Sequence, residues 1–595
     1  MAQLRIASGG RPLATIITPH DASAQERYAA DELAHYLRLI TGAGFTCSKE
    51  PAAGTAHADG THTVIALGRA ASHLGLHADE YLGDDGYIVR SGAGGIGIVG
   101  GTRGIIYGVY EFLEQLGCRF FTPLCERVPC MVDLAVPALD LRKVPVLEYR
   151  YHNYTDFVRN PRFAVRNRIN GPVPIKDRFG GRMDYHWFVH TFEHILDPGE
   201  WFEAHPEYFS MVNGRRVKER TQLCLSNPDV LRITIEKVLA ALESDPGKRL
   251  ISVSQNDWYN NCTCPECARF DAAEGSYAGS LIRFVNQVAE AVEPRFPDAI
   301  IDTLAYQYSR PAPRTIRPRH NVCVRLCSIE ACFAHPLETC DDPVRRVVRP
   351  DGSRSSFIKD LEDWAKVCNR LYIWDYTTCF AHYPAPFPNW RVLQPNMQAF
   401  VRNNVKGVFE QACGAVGGST DLNELRAYLI AKLLWDPDCD VDHHRQEFLQ
   451  TYYGDAAPMV QHYLDTLCDV VEQRNIHVGF NDPCDRPYLT SDLLDRYESI
   501  LDRAAAAVTG DPIRSTRVDR IRLSIRWVRL KNRAMRDGIR DQREVVRFFT
   551  DWKAHGLTRI DEWVSAETTH RALIAGLWRG TEFYDHWTAE GPEEL

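Results

Sequence analysis

The spacing of apolar residues along the first 140 positions alternates between the periods of strands and helices. A short β-branched run at 13–18 has the composition of a strand. Residues 22–39 and 104–116 carry apolar side chains three or four positions apart, and the second segment stops at Gly117. This spacing, with glycine at the end, is typical of helices. The pattern predicts a small α/β domain over residues 1–140.

From 141 to 422 the pattern changes to short apolar runs that end in polar and aromatic residues, with helical or loop segments between them. The predicted strands span 148–152, 222–225, 250–254, 300–306, 322–327, 371–374 and 407–409, with an eighth at 164–169. Repeated strand–helix alternation over roughly 250 residues is the scale of a TIM barrel. We therefore expect an α/β fold whose central domain, 141–422, is a (β/α)8 TIM-type barrel.

Beyond residue 422 the apolar positions recur at helical spacing in five long segments. Pro437, Gly454 and Gly510 separate several of them. This predicts an α-helical domain over 423–595. Such a domain can pack on the barrel or form a contact between two copies, so a homo-oligomer is among the expectations.

Charge and hydropathy narrow the classes of partner. The 595 residues carry a net charge of −9 without a long basic run, which argues against nucleic acid or an anionic membrane surface. No apolar stretch is long enough to span a bilayer, and the first residues lack the apolar core of a signal peptide. We therefore expect a cytoplasmic protein whose 18 cysteines are reduced. Neutral polar ligands such as sugars remain compatible.

Side chains suited to sugar chemistry follow the predicted strands, at the ends where barrels place catalytic groups. They are His152, Asn256, Asp257, Trp258, Glu330, His335, Trp374, Asp375, Tyr376, Glu410 and Gln411. Glycoside cleavage needs one carboxyl group as acid and a second group to attack, activate water or steady the sugar. Aromatic rings stack on sugars and amides bind hydroxyls, and His186 is added as pocket lining. Alternatively, each carboxylate pairs with an arginine or lysine across the barrel mouth.

Three cysteines form the clearest local thiol motif. Cys262, Cys264 and Cys267 lie within six residues and can hold a structural zinc ion if a fourth ligand comes from elsewhere. A second paired-cysteine motif does not follow at short spacing, so free thiols or a redox pair are the alternatives. Catalysis itself is expected to need no cofactor.

Several of these segments together resemble proteins that carry the domain of unknown function DUF4838. The resembling segments are 255–257 with 264–267, 275–286, 329–336 and 407–411. Some members of that group form glycoside hydrolase family 163, endo-acting β-N-acetylglucosaminidases on N-glycans. Residues 100–110 resemble the small accessory domain that precedes the barrel in α-glucuronidases and β-hexosaminidases.

The resemblance implies a retaining mechanism in which the acetamido group of the substrate attacks the anomeric carbon. By their positions at strand ends, Asp257, Glu330 and Glu410 are the candidates for the acid and the polarising carboxylate, with a glutamate as acid and Asp257 orienting the acetamido group or a hydroxyl. The expected partner is an oligosaccharide or glycoside. A cytoplasmic relative would act on small imported sugars, whereas family members that act on N-glycans are usually exported.

Two other interpretations remain open from the sequence. The first is a non-catalytic carbohydrate-binding barrel. The second is a glycosidase that acts on uronic acids, which needs a basic side chain for the sugar carboxylate. Arg325 on a predicted strand would suit that role, as would Arg159, Arg162 and Arg166 after the first strand.

Overall fold

The computed structural model describes residues 4–49, 63–92, 95–537 and 541–575. The chain divides into two compact units, Met1–Arg150 with Asp156–Arg182 and Tyr151–Thr155 with Met183–Leu595. The domain boundaries expected after 140 and 422 stay predictions. Residues 576–595 of the expected helical domain lie outside the described residues.

The first unit is built on a mixed sheet of six strands in the order β11-β6-β7-β5-β3-β4, with a smaller sheet in the order β10-β1-β2 and a β8–β9 hairpin. Its strands are β1 Leu4–Ser8, β2 Arg11–Pro12, β3 Ala14–Thr18, β4 Cys47–Lys49, β5 Thr63–Leu67, β6 Tyr87–Gly92, β7 Gly95–Gly100, β8 Arg119–Thr122, β9 Cys125–Arg127, β10 Leu134–Val136 and β11 Asp140–Lys143. Its helices are α1 Ala24–Thr41, α2 Gly104–Gln115, α3 Thr155–Arg159, whose first residue belongs to the second unit, and α4 Pro161–Arg166.

Helix α1 shows how local sequence sets these boundaries. The Ser23 hydroxyl accepts a hydrogen bond from the backbone N–H of Glu26, whose carboxylate accepts the N–H of Ser23 at 2.7 Å. This capping box satisfies two backbone donors that the first turn leaves open. The helix stops at Gly42, whose φ of 76° is left-handed and costs glycine little. The helix predicted over 22–39 is confirmed with a shift of two residues at each end.

The second unit contains a curled parallel sheet in the order β12-β21-β20-β17-β16-β15. Its strands, with two small hairpins, are β12 Tyr149–His152, β13 Met211–Val212, β14 Arg215–Arg216, β15 Leu250–Ser252, β16 Ile300–Ala305, β17 Val322–Cys327, β18 Val347–Val348, β19 Arg354–Ser355, β20 Leu371–Tyr376 and β21 Val405–Gln411. Strands β15, β16, β17, β20 and β21 pair in parallel, so their carboxyl ends meet at one edge.

Six of the eight predicted barrel strands are confirmed, and two predictions are wrong. Residues 164–169 lie in helix α4 and the turn after it, because Pro161 occupies the first turn and favours a helix start. Residues 222–225 form no strand of the sheet; Leu223 only bridges Phe209 in an antiparallel contact. The described residues thus form a half-barrel, and the closed eight-stranded barrel stays a prediction.

Helices cover the sheet and make up the rest of the second unit. They are α5 Phe192–Ile195, α6 Pro198–Trp201, α7 Pro228–Ser244, α8 Pro265–Glu274, α9 Ala278–Val292, α10 Phe357–Val367, α11 Leu393–Arg402, α12 Asn423–Trp435, α13 Val441–Tyr453, α14 Ala457–Gln473, α15 Ser491–Ala507, α16 Pro512–Asp537, α17 Gln542–Ala554 and α18 Ala566–Ile574. The five predicted helices beyond 422 correspond to α12–α16. Within the described ranges, no helix is long and apolar enough to cross a bilayer.

Candidate active site

The predicted site residues at the ends of β20 and β21 lie on two opposite faces of the sheet. The indole N–H of Trp374 donates to the side-chain oxygen of Gln411 at 2.8 Å, so these residues share a face. The ring of Trp374 also packs at 4.8 Å from Phe409 on the same face. Because side chains alternate along a strand, Asp375 and Glu410 project from the opposite face.

Four side chains lie at or after the carboxyl ends of β15, β16, β17 and β20, at one edge of the sheet. The Tyr306 hydroxyl donates to Oδ1 of Asp257 at 2.8 Å. Burial raises the pKa of Tyr306, and the charges of Asp257 and Glu330 raise it further. Burial likewise raises the pKa of Tyr376, with Asp257 and Glu330 again among the contributing charges. Asp257, Tyr306, Glu330 and Tyr376 are called the strand-end cluster below.

Burial of Glu330 favours the protonated form of its carboxyl group. Its side chain is 21% exposed, and Oε2 accepts a hydrogen bond of 3.0 Å from Nη1 of Arg310. Its Oε1 has no partner among the described residues. Burial raises the pKa of Glu330, and the Arg310 guanidinium opposes that rise without cancelling it. Arg310 also donates to Asp360 at 2.8 Å, which divides its charge between two carboxylates.

The helical part of the chain supplies a carboxylate that the sequence did not reveal. Glu562 accepts a hydrogen bond of 3.0 Å from the Gln411 amide, and its charge contributes to the raised pKa of Tyr376. Nothing in the local sequence around Glu562 marks it, because it lies far from every strand. Tyr306 was also missed, although its position at the end of a predicted strand was a usable signal.

Asp375 and Glu410 form a separate buried pair behind the sheet. They are direct neighbours in the β20–β21 register, and Asp375 accepts a hydrogen bond from the Ser328 hydroxyl. Burial raises the pKa of Asp375 to about 6. Burial, followed by the charge of Asp375, raises the pKa of Glu410 well above its ordinary value. Glu410 is 3% exposed. The structure therefore does not bring Glu410 together with Asp257 and Glu330.

Asn256 and Trp258 hold the loop after β15. The Asn256 amide accepts the backbone N–H of Glu193 and donates to the carbonyl of Thr221, both at 2.9 Å. The indole of Trp258 lies 5.2 Å from the Arg220 guanidinium. The hydrogen bonds of Asn256 thus serve the scaffold that positions Asp257.

The three predicted histidines lie in three different places. His152 is fully buried, and burial lowers its pKa to about 3, which keeps the ring neutral. His186 contacts the carbonyl of Lys248 through Nε2 at 3.2 Å and lines a cavity of about 540 Å³ near the amino end of β15. His335 has Nδ1 at 3.4 Å from Sγ of Cys332. Of these, His186 lies at the end of β15 away from the strand-end cluster.

The cysteine motif gains its fourth member from the segment that was wrongly predicted as a strand. Cys224 joins Cys262, Cys264 and Cys267, with all four sulfur atoms within 4.8 Å of one another. Sγ of Cys224 and Sγ of Cys264 are 3.7 Å apart, against about 3.8 Å for sulfurs that share a tetrahedral zinc ion. The Met211 N–H donates to Cys262, as outer hydrogen-bond donors do at thiolate sites. These residues fit a structural zinc ion and are called the Cys224 cluster.

The arginine expected to serve a uronic acid is engaged within the protein. Arg325 is 1% exposed and donates to Asp302 at 2.8 Å, with its guanidinium 4.4 Å from the ring of Phe188. Arg162 and Arg166, in the first unit, both pair with Glu32. These three guanidinium groups therefore already bind carboxylates of the protein.

Comparison with known proteins adds the family and the fold. The family model for the domain of unknown function DUF4838 matches residues 120–465. A comparison with curated protein sequences gives no match. A solved family GH115 4-O-methyl-α-glucuronidase with specificity for decorated arabinogalactans is similar at 12% identity and a TM-score of 0.56, over 97% of this chain and 78% of that one.

A family 89 glycoside hydrolase from Clostridium perfringens, solved with GlcNAc-α-1,4-galactose, aligns at 12% identity and a TM-score of 0.49, over 94% of this chain and 70% of that one. The similarity to the glucuronidase establishes a shared fold. The family match covers more than half of the sequence and includes Asp257, Glu330 and the Cys224 cluster. The chain therefore belongs to the DUF4838 family.

Proposed function

We propose that this protein is a retaining glycoside hydrolase in which Glu330 is the general acid. The observation that carries the proposal is the strand-end cluster. It places Asp257 against the Tyr306 phenol and Glu330 where its charge acts on that phenol, at the carboxyl ends of parallel strands, where barrels and related α/β folds bind ligands. Asp257 accepts a hydrogen bond from Tyr306, whereas Glu330 has a raised pKa and an unpartnered oxygen. Carboxyl groups in such different environments can divide the roles of base and acid.

In the proposed reaction the substrate is a β-N-acetylglucosaminide. Its acetamido oxygen attacks the anomeric carbon while the glycosidic C–O bond breaks, and the leaving oxygen takes the proton of Glu330. Asp257 accepts the acetamido N–H and so polarises that group, and Tyr306 holds Asp257 in place. A water molecule then attacks the anomeric carbon and breaks its bond to the acetamido oxygen, while the Glu330 carboxylate takes a proton from that water. Retention follows because two displacements occur at one carbon.

The aromatic surroundings support a sugar as the ligand. Tyr259, which follows Asp257 in the same loop, is 55% exposed and offers a ring face near the cluster. Arg325 pairs with Asp302, and Arg162 and Arg166 pair with Glu32, which supports a neutral N-acetylated sugar. The fold shared with a glycoside hydrolase is consistent with this activity.

Glu330→Gln tests the assignment on matched substrates. General acid catalysis contributes about 10²- to 10⁴-fold, so kcat/KM for an N-acetylglucosaminide with an unactivated alkyl leaving group should fall by that amount. An aryl glycoside with a nitrophenolate leaving group needs little protonation and should lose far less. Wild-type enzyme should also reject the matching glucosides, which lack the acetamido group.

Glu338→Gln serves as the control, since Glu338 is a surface residue of the same loop that pairs with Arg402. It should leave kcat/KM unchanged. An equal loss on both leaving groups in Glu330→Gln would show that Glu330 is not the acid. Hydrolysis of uronides alone would replace the proposed substrate class, and binding without turnover on any glycoside would support the carbohydrate-binding alternative.

A further inference from the structure

We propose that the loop bearing Glu330 is closed by a second zinc ion, bound by Cys332, His335, Cys340 and His477. One ligand atom from each of these four residues lies within 4.8 Å of all the others. Two thiols and two imidazoles are the ligand set of Cys2His2 zinc sites. This site is distinct from the Cys224 cluster, with which it shares no residue.

The measured separations match tetrahedral zinc. Nδ1 of His335 lies 3.4 Å from Sγ of Cys332, and Nδ1 of His477 lies 3.8 Å from Sγ of Cys340. Bond lengths of about 2.3 Å to sulfur and 2.05 Å to nitrogen at tetrahedral angles give about 3.6 Å between such atoms. The two imidazole rings are 4.8 Å apart between centroids, at an angle of 62°, so both nitrogens can face one point.

Groups around the four proposed ligands determine which nitrogen of each imidazole ring is available to a metal ion. Nε2 of His477 lies 3.3 Å from the Asp341 carboxylate, while Nδ1 lies 3.8 Å from Sγ of Cys340 and 3.8 Å from the Asp342 carboxylate. A carboxylate on the outer nitrogen fixes the ring and makes the inner nitrogen a better ligand. Nε2 of His335 is buried without a partner among the described residues, which leaves Nδ1 for the metal.

The charge balance suits a buried position. Binding of Zn²⁺ displaces one proton from each of Cys332 and Cys340, and two thiolates with two neutral imidazoles give a site of zero net charge. Cys332 is only 3% exposed, so a neutral complex avoids burying a net charge. Zinc is favoured over harder cations by the soft thiolate ligands.

The site ties together two distant segments. Cys332, His335 and Cys340 follow Glu330 in the loop between β17 and α10, whereas His477 lies beyond α14. The backbone N–H of Phe333 already donates to the carbonyl of Val478 at 2.8 Å. A zinc ion would lock this junction and limit the motion of the loop that carries Glu330.

Zinc content of the full chain tests this inference without any activity measurement. Protein expressed with Zn²⁺ and dialysed against metal-free buffer should contain two zinc ions per chain by inductively coupled plasma mass spectrometry. The double variant Cys332→Ser/Cys340→Ser should contain one, and so should Cys262→Ser/Cys267→Ser, which disrupts the Cys224 cluster. Cys130→Ser removes an exposed cysteine outside both groups and should keep two.

Two further measurements guard against misfolding and against a disulfide. Co²⁺ substituted into Cys262→Ser/Cys267→Ser should give the absorption of a tetrahedral site with two thiolates, which His477→Gln added to that variant should abolish. Thiol titration of denatured, unreduced wild type should find all 18 cysteines. Equal zinc in wild type and Cys332→Ser/Cys340→Ser would overturn the inference. A titration that falls two thiols short would overturn it too, because it would indicate a Cys332–Cys340 disulfide.

Discussion

The buried pair behind the sheet predicts an unusual dependence of stability on pH. Glu410 keeps its proton in the fold because burial and the charge of Asp375 raise its pKa well above the ordinary 4.5. In the unfolded chain it ionises near 4.5. The stability contributed by the protonated group is therefore complete below 4.5 and is lost as the pH rises towards the folded-state pKa.

Glu410→Gln removes this loss of stability at higher pH because the amide side chain does not titrate. Between its two pKa values one group costs about 1.4 kcal/mol per pH unit. Above pH 4.5 the difference in free energy of unfolding between variant and wild type should therefore shift in favour of the variant, at a slope of up to about 1.4 kcal/mol per pH unit. Asp375, whose pKa is raised to about 6 by burial, titrates in both proteins, but in wild type its charge also acts on Glu410.

Urea unfolding at pH 5, 6 and 7, followed by tryptophan fluorescence, measures this difference. Glu219→Gln, at an exposed position, is the control and should show no pH-dependent difference. Catalytic rates give an independent check, because a residue behind the sheet should tolerate the amide with kcat/KM nearly unchanged. A pH-independent stability difference would refute the raised pKa. A loss of about 100-fold or more in kcat/KM would instead indicate that Glu410 takes part in catalysis.

Two other predictions concern the sheet. Tyr306→Phe removes the hydrogen bond to Asp257 and should lower kcat/KM about 10- to 100-fold, which is the usual contribution of a hydrogen bond to a charged group. The melting temperature should change little. An unchanged kcat/KM would show that Tyr306 takes no part in the mechanism. Arg325→Met leaves Asp302 buried without its partner and should destabilise the protein by about 3–5 kcal/mol, more at pH 8 than at pH 5, in thermal unfolding. Arg325→Met/Asp302→Leu should recover most of that loss, and failure to do so would show that the pair matters through packing.

The sequence was informative wherever a strand could be recognised by its own residues. Runs such as 322–327 are apolar and β-branched, and they form strands of the sheet. The segment 222–225 has a similar apolar appearance, but Cys224 belongs to a thiol group assembled from residues 40 positions apart. The need for Cys224 to contact thiols that are distant in the sequence is not visible in a window of four residues.

The candidate site was predictable in part. Asp257 and Glu330 follow strands β15 and β17, and the parallel sheet brings them to one edge. Glu410 was grouped with them because it also ends a strand, yet side-chain alternation puts it on the face opposite Gln411. The alternation of side chains between the two faces of a strand would have shown this separation from the sequence alone. Glu562, in contrast, could be found only from the folded structure.

The hydrogen bond from Gln411 to Glu562 determines where the chain can be truncated. The matched family segment ends at residue 465, about a hundred positions before Glu562. A fragment cut at that limit would keep Asp257 and Glu330 but lose the carboxylate that binds Gln411. It would also lose one of the negative charges that raise the pKa of Tyr376. The segment between α17 and α18 thus contacts the end of β21, and we expect the smallest fragment that retains full activity to extend past Glu562.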